Sequence, residues 1–355
     1  MANYKPDMET KLIKEKDKLL KDVPGFIYDY IEDYLPAKSN ELRTHIAYTK
    51  DIINFLNYYS SVQLNKDIKE ISITDMNNVT IRTLNSYFKY ITQYTTTYTT
   101  STGKEVTKVR TNSLNGKARK LAVLKKLYAY LIKNELVSND PTKEMQINKP
   151  SITKIDNKLE TIEINDIINE IYKGENIDSK LGKKAHERLK LRDITIFVIL
   201  AYTGIRVSEL VSLDIQDVDI KKCTIRVTRK NNKIEEIPYP SKASYYIENY
   251  LEYRNSLDHK VKDEFKKALF LSQRNTRITS ESVRIMLKKY SYRANVDIAG
   301  CHTLRRTLLS SLYNQTGDIR LTARIGGHSV ATASKYYADV DESRLRSTMS
   351  SFDYE

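Results

Sequence analysis

Apolar residues recur at helical spacing through almost the whole chain, and strand-like alternation interrupts this pattern once. In NELRTHIAYTKDIINFLNYYS (40–60), leucines and isoleucines three or four residues apart fall on one side of a helix. In 217–240 the period changes to two, because Cys223, Ile225 and Val227 alternate with polar residues. There KNNK forms a turn and IEEIPY supplies a partner strand. The sequence therefore predicts a mostly α-helical protein with one small antiparallel sheet.

The first half of the chain is predicted to be all-helical. Thr74 or Asp75 caps the fourth helix, and Asp140-Pro141 ends the fifth, because the residue before a proline avoids the helical conformation. The Thr-rich stretch ITQYTTTYTTSTGKE (91–105) is interpreted as a loop or an irregular strand without chemistry of its own. The predicted helices cover residues 8–22, 24–35, 40–60, 72–92 and 111–141.

The length of 355 residues suggests two domains, and the composition indicates where they divide. NKPSITKIDNKLE (148–160) is polar, proline-bearing and weakly periodic, which is typical of a linker. We therefore expect a helical domain at 1–150, a linker at 151–160 and a second domain at 161–355. The helices predicted in the second domain lie at 161–172, at 186–203 and within 241–351.

The net charge of +14 is unevenly distributed. Residues 1–100 carry 13 basic and 13 acidic side chains, whereas 101–150 carry 11 and 4, and 251–350 carry 18 and 10. Two basic blocks suggest two surfaces that meet one polyanion, with DNA as the first candidate, although a solvated helix face is an alternative for each block. The candidate DNA-binding residues of the first block are Lys117, Arg119, Lys120, Lys125 and Lys126.

The cysteine content and the apolar runs exclude several classes of protein. Cys223 and Cys301 are too few for a disulfide scaffold or a thiolate zinc site, and both are predicted to be core residues of a reduced, cytoplasmic protein. The charged N-terminus lacks the apolar region of a signal peptide. The longest apolar run, 194–202, is shorter than the roughly 20 residues of a membrane span, so we expect no membrane association.

Six candidate site residues lie in four short segments of the second half of the chain. TGIRVSEL holds an arginine in the first turn of a helix, where Glu209 on the same face could orient it. The KNNK turn, CHTLRRT and GGHSVATASKYY supply the others, and each segment alone could be ordinary surface. No carboxylate cluster suited to Mg²⁺, no phosphate-binding Gly-rich loop and no Ser/His/Asp triad is evident. In chain order the six residues are Arg206, Lys230, His302, Arg305, His328 and Tyr337.

In this order the segments resemble the tyrosine recombinases, the phage integrase family. TGIRVSEL is similar to the family's first arginine motif, HTLRRT to its His-x-x-Arg box, and GGHSVATASKYY to the segment that ends in the nucleophile. The basic helix of 111–141 resembles the family's DNA-clamping domain. The likeness covers 110–345 well and 25–110 more loosely. It is greatest to the single-component Xer recombinases (XerS), through the chain length, PGFIYDYIEDYL and VTRKNNK.

The resemblance implies a SAM-like helical N-terminal DNA-binding domain and a mainly helical catalytic domain. It also implies that Tyr337 attacks DNA and forms a 3′-phosphotyrosine link, without a metal or other cofactor. Arg206 and Arg305 would clamp the phosphate and Lys230 would protonate the 5′ oxygen. His302 is then the candidate base and His328 a hydrogen-bond donor to the phosphate.

The resemblance extends to partners and includes three departures. The expected partners are double-stranded DNA and an FtsK-type DNA translocase. The expected assembly is a dimer on one site and a tetramer in the synapse, with a C-terminal tail that docks on a neighbouring protomer. The expected role is resolution of chromosome dimers at a dif-like site. Gly326 stands where leucine is usual, Arg306 where histidine is common, and Tyr336 where an aliphatic residue precedes the nucleophile. The choice of tyrosine therefore stays open, and the nine-residue spacing from His328 favours Tyr337.

Three other functions remain as alternatives at this point. An integrase of a phage or conjugative element would use the same chemistry in a different role. A type IB topoisomerase would use similar residues but relax supercoils without exchanging partners. A DNA-binding regulator without catalysis would explain the charge equally well, but not the order of the six residues.

Overall fold

The computed structural model describes residues 4–38, 41–100, 103–148, 158–229, 232–298, 300–337, 346 and 349–350. The chain divides into two compact units, 1–153 and 154–355. Each unit has a hydrophobic core of its own. Within the described residues no helix is long and apolar enough to cross a membrane.

The first unit is a helical domain with one β-hairpin. A π-helical turn at Tyr30–Tyr34 separates α2 from α3. Tyrosine and phenylalanine rings fill much of the core, and the buried Tyr128 hydroxyl donates to the Met76 carbonyl oxygen at 2.9 Å. The helices are α1 Tyr4–Leu20, α2 Gly25–Asp29, α3 Leu35–Lys38, α4 Leu42–Tyr59, α5 Ile73–Asn77, α6 Ile81–Tyr90 and α7 Leu114–Lys133.

The single helix predicted over 72–92 is wrong, because the structure has two helices there, α5 and α6. Ser72 accepts a hydrogen bond from the backbone N–H of Asp75, and Thr80 accepts one from the backbone N–H of Thr83. Each is therefore an N-cap, which starts a new helix. Val79, between the two helices, is fully buried, so the break itself is anchored in the core.

The Thr-rich stretch forms a regular antiparallel hairpin, so the prediction of an all-helical first domain is wrong here. Its strands are β1 Gln93–Thr99 and β2 Glu105–Thr111, and Thr96 lies opposite Lys108. Gly103, at φ +80°, lies in the turn between them. Both strands are largely exposed, so their sequence lacks the apolar alternation of a half-buried strand.

The second unit combines eight helices with a three-stranded sheet, among the residues that the structure describes. The predicted strand pair is confirmed, with Ile225 opposite Ile237, and a short third strand pairs with its first member. The helices are α8 Thr161–Lys173, α9 Lys180–Thr203, α10 Val207–Ser212, α11 Ser244–Ser256, α12 Ser280–Arg293, α13 Cys301–Thr316, α14 Ile319–Gly326 and α15 Val330–Tyr337. The strands are β3 Val218–Asp219, β4 Thr224–Thr228 and β5 Ile234–Pro238.

Two features of this unit differ from the prediction. The helix α9 begins at Lys180, earlier than predicted, because Ser179 caps it by accepting from the Gly182 N–H at 3.0 Å. The segment 257–279 was expected to be helical, but it consists of short 3₁₀ turns and isolated bridges. This segment is held by contacts with the preceding helix rather than by helical hydrogen bonds of its own. The Arg254 side chain is fully buried and donates to three carbonyl oxygens of 265–268.

The end of α9 and the last three helices position the candidate site. Gly204 ends α9 at φ +60°, as the sequence predicted, and a Cβ there would lie 3.0 Å from Leu308 of α13. A separate small core holds α13, α14 and α15 together through Leu309, Ala323 and Ala333. Tyr337 belongs to this core, so apolar packing holds the helix that carries it.

Candidate active site

Arg206 is the N-cap of α10, at the turn that follows α9. Its Nη1 donates to Glu209 Oε1 at 2.8 Å, and its backbone N–H donates to Glu209 Oε2 at 2.8 Å. Its Nη2 donates to the Gly327 carbonyl oxygen at 3.0 Å. Glu209 is buried, whereas the Arg206 side chain is 34% exposed. The contacts of Glu209 are those of a residue that orients Arg206, and the Arg206 side chain stays partly accessible.

Arg305 lies on the inner face of α13 and is 3% exposed. Its guanidinium donates to the carbonyl oxygens of Gly204 and Gly326, and its Nη2 lies 3.0 Å from His328 Nε2. Burial first, and then the positive charge of Arg206, lowers the pKa of Arg305 to about 10. At this pKa Arg305 is still a cation at neutral pH.

The Gly326-Gly327 turn brings His328 to the arginines. Gly327 has φ +54°, in the left-handed region, and it ends α14. Burial lowers the pKa of His328 to about 4, and Arg305 and Arg206 contribute to the shift. The imidazole is therefore neutral at pH 7, so one of its nitrogens carries a proton and the other can accept one.

Tyr337 is buried next to His328, whereas Tyr336 is exposed. The rings of His328 and Tyr337 stack with centroids 6.0 Å apart and an interplanar angle of 14°. Tyr337 is 8% exposed and Tyr336 is 40% exposed. Burial raises the pKa of the Tyr337 phenol, while Arg305, Arg306 and Arg206 act in the opposite direction. Geometry therefore associates Tyr337, rather than Tyr336, with the histidine and the arginines.

The two other predicted residues are placed differently. His302 lies in the first turn of α13 and is exposed at the surface, but partial desolvation of its ring lowers its pKa, as do the charges of Arg305 and Arg306. It is thus neutral at pH 7 and can accept a proton. Lys230 lies outside the described residues. The structure therefore brings four of the six predicted residues together: Arg206, Arg305, His328 and Tyr337. His302 lies at the edge of this group, and the charges of the arginines affect the pKa of His302, His328 and Tyr337.

Sequence reasoning missed Arg229, which is buried among these residues. It donates to both oxygens of Glu209 and to the Ile325 carbonyl oxygen. A signal was present in the sequence, because Arg229 continues the alternation of Ile225 and Val227, whose side chains face the core. An arginine in phase with the buried face of a strand needs a buried partner.

The basic residues of α7 do not all face solvent. Lys120 is 7% exposed, and its Nζ lies 2.7 Å from Asp51 Oδ1, while Arg119 Nη1 lies 2.6 Å from Asp51 Oδ2. Lys120 thus balances a buried carboxylate, and this pairing removes it from the surface we propose for DNA. Lys117 Nζ donates to Thr92 Oγ1, and Lys126 Nζ donates to the Tyr48 hydroxyl, each at 2.7 Å. Lys125 is half-buried.

Clusters of three or more His, Cys, Asp or Glu side chains with the spacing of a metal site do not occur within the described part of the chain. Among the described residues, the charges around the candidate site are those of arginines and of the carboxylates of Glu209 and Glu235. Its positive field therefore comes from guanidinium groups, which suit the bidentate geometry of phosphate oxygens.

Comparison with known proteins identifies the family. The sequence profile of the Phage integrase family matches residues 175–344. A tyrosine recombinase XerC of Caldanaerobacter subterraneus subsp. tengcongensis is 30% identical over 333 residues, which cover 91% of this chain and 85% of the relative. The chain belongs to the tyrosine recombinases. These are enzymes that break and rejoin DNA.

Two further comparisons agree with this assignment. A tyrosine recombinase XerS of Streptococcus uberis is 29% identical over 94% of this chain and 97% of the relative. The crystal structure of the XerH site-specific recombinase, bound to difH substrate in a pre-cleavage complex, aligns with 88% of this chain and 80% of that chain. Its TM-score is 0.61 at 20% sequence identity, which shows the same fold.

One departure from the tyrosine recombinase pattern has a local explanation. A Cβ at Gly326 would lie 3.0 Å from His328 Nδ1 and 3.1 Å from Leu309 Cδ1. Gly326 is buried, and its carbonyl oxygen accepts from Arg305. In this recombinase a leucine at position 326 would therefore have to displace the histidine ring or the core of α13.

Proposed function

We propose that this recombinase is a site-specific enzyme that cleaves and rejoins DNA through a 3′-phosphotyrosine intermediate formed on Tyr337. The observation that carries the proposal is the contact of His328 with both Arg305 and Tyr337. A phenol, a phosphate-binding cation and a neutral imidazole are thus close together. The proposed role is resolution of chromosome dimers at a dif-like site.

The two arginines supply the charge that phosphodiester chemistry needs. Each guanidinium can present two N–H groups to the non-bridging oxygens, and such contacts strengthen as the transition state gains negative charge. Arg206 has a partly exposed side chain, and Arg305 is held from behind by the Gly204 carbonyl oxygen. We infer that this field makes a metal ion unnecessary.

Proton transfer is assigned to three further residues. Burial keeps the phenol of Tyr337 protonated before attack, so a base must take its proton, and His302 is neutral and able to do so. His328 donates to the phosphate, a role that a neutral imidazole can fill from one nitrogen. Lys230 protonates the leaving 5′ oxygen. The tyrosyl ester conserves the energy of the broken bond, so the strand is resealed without ATP.

The basic helix α7 is proposed to bind the DNA backbone. Lys117, Arg119, Lys125 and Lys126 are the candidate contacts, while Lys120 supports the helix from inside. Strand exchange joins two duplexes, so we propose a dimer on one site and a tetramer in the synapse, with the C-terminal tail as the docking segment. An FtsK-type translocase is the proposed activator.

A nicked suicide substrate tests the proposal. In such DNA the fragment beyond the nick diffuses away after cleavage, so the covalent protein–DNA adduct accumulates and is visible on a denaturing gel. We expect an adduct with the natural chain and none with Tyr337→Phe. An adduct that forms equally in both proteins would overturn the proposal. Cleavage at paired dif-like sites, compared with the ends of a mobile element, then separates the chromosomal role from that of an integrase.

A further inference from the structure

Arg229 directly follows β4, in phase with its buried face, and all three of its guanidinium nitrogens are bonded. Its Nε donates to Glu235 Oε2 at 3.1 Å, and its Nη1 lies 3.2 Å and 3.0 Å from the two carboxylate oxygens of Glu209. Its Nη2 donates to the Ile325 carbonyl oxygen at 2.8 Å. Two carboxylates contact this one guanidinium, and its charge still contributes, after burial and the charges of other arginines, to the lowered pKa of His328.

Glu209 connects Arg229 to Arg206. The same carboxylate accepts from the Arg206 side chain, the Arg206 backbone N–H and Arg229. Because Glu209 is 6% exposed, its position depends on these protein donors rather than on bulk water. A change at Arg229 therefore moves or frees the carboxylate that aims the Arg206 guanidinium.

Arg229 also supports the turn that presents His328. A Cβ at Gly327 would lie 2.8 Å from Arg229 Cζ, so the backbone of the turn packs directly on the guanidinium. Arg229 bonds to the carbonyl oxygen of Ile325, and Arg206 bonds to that of Gly327. The two arginines thus hold the segment immediately before His328 at Ile325 and at Gly327.

The backbone of Arg229 extends the pairing of β4 and β5 by one residue beyond the strand ends. Its N–H donates to the Lys233 carbonyl oxygen at 2.7 Å, and Lys233 in turn forms an ion pair with Glu235, at 2.6 Å. Glu235 thus contacts both Lys233 and the Arg229 side chain. The residue next to Lys230 in sequence is therefore fixed by side-chain and backbone contacts together.

We propose that Arg229 is a positioning residue for DNA cleavage: it sets the orientation of Arg206 through Glu209 and holds the Gly326-Gly327 turn. The inference rests on the proposed function, because it takes Arg206 as a phosphate clamp. Arg229 is buried and bonded to protein groups, so its loss should slow cleavage without weakening the binding of DNA.

Single-turnover cleavage of the nicked substrate, measured beside DNA affinity, is the first test. Arg229→Met should slow adduct formation by about 100-fold, the loss expected when a reacting group is misplaced by about 1 Å, with affinity unchanged. Arg229→Lys should not restore the rate, because one ammonium group cannot span the two carboxylates and the carbonyl. Arg226→Met is the matched control: it lies on the same strand with a side chain 43% exposed, and it should cleave at the natural rate.

A double variant separates positioning from a general structural role. If Arg229 acts through Arg206, Arg229→Met should reduce the cleavage rate little further in an Arg206→Lys background, because both changes disable the function of the same group, the Arg206 guanidinium. An equal fractional loss in both backgrounds would overturn the role of Arg229 in orienting Arg206. Glu235→Gln removes the charge of one carboxylate partner of Arg229 and should slow cleavage less than Arg229→Met does.

The outcomes remain distinguishable if a variant is unstable or the parent proposal fails. Should Arg229→Met not fold, natural cleavage rates in both Arg229→Lys and Glu235→Gln would still refute the positioning role. An absence of adduct with the natural chain overturns the proposed function itself. An adduct with the natural chain and an equal rate in folded Arg229→Met overturns the inference alone.

Discussion

The charge of α7 gives a quantitative prediction for DNA binding. Lys117 and Lys126 bond to neutral hydroxyl oxygens, so those contacts leave their charges unbalanced. Arg119 and Lys120 share the Asp51 carboxylate, and these three side chains together carry one net positive charge. The cations best suited to replace counterions on DNA are therefore Lys117, Lys125 and Lys126.

The perturbation is the triple change of Lys117, Lys125 and Lys126 to Gln. Each lost phosphate contact reduces the slope of log K against log salt by about 0.9, so three contacts amount to about 2 to 3 units. Affinity is measured by fluorescence anisotropy over a range of salt concentrations, on specific and unrelated duplexes. Both duplexes should weaken alike, because phosphate contacts carry little sequence information.

Two controls make the result interpretable. Changing Lys11, Lys14 and Lys18 to Gln removes three exposed charges from α1, where acidic residues balance them locally, and should alter the slope much less. Lys120→Gln should leave the slope nearly unchanged because Lys120 is buried against Asp51. Equal slopes for the natural chain and the α7 triple variant would show that this basic face is only solvated and does not contact DNA.

Four further predictions concern the site and the core. Tyr337→Phe should bind DNA and form no covalent adduct, whereas Tyr336→Phe should keep most activity; the reverse result would assign the nucleophile to the exposed ring. Cleavage should persist in excess EDTA, and a loss that Mg²⁺ restores would remove the arginine-based mechanism. Lys230→Ala should be slow on ordinary DNA but nearer to normal when sulfur replaces the 5′ oxygen, because a thiolate leaves with less need for a proton; an undiminished defect would give Lys230 another role. Asp51→Ala should lower the free energy of unfolding by about 3 kcal/mol, since it leaves Lys120 buried without its carboxylate, as denaturant titration would measure; unchanged stability would contradict that pairing.

Local sequence was sufficient for much of the fold. The alternation of Ile225 and Val227 predicted β4, and Gly204 predicted the end of α9. Both features depend on a few neighbouring residues: the two-residue spacing of apolar side chains in a strand, and a glycine that can adopt a positive φ at a helix end. The same local view failed at 72–92, where Thr80 starts a second helix inside an apparently continuous pattern. At the exposed hairpin it predicted only a loop or an irregular strand, because the strands of the hairpin bury too little surface to show alternation.

The sequence by itself determined which residue types the candidate site holds and their order along the chain. The nine-residue spacing from His328 already favoured Tyr337, and the ring stacking agrees with that choice. Only the tertiary structure revealed that Arg229 shares Glu209 with Arg206, and that Lys120 balances Asp51 across 69 residues of sequence. The reason is physical: a buried charge is stable only with its partner, and the partner is chosen by how distant elements pack.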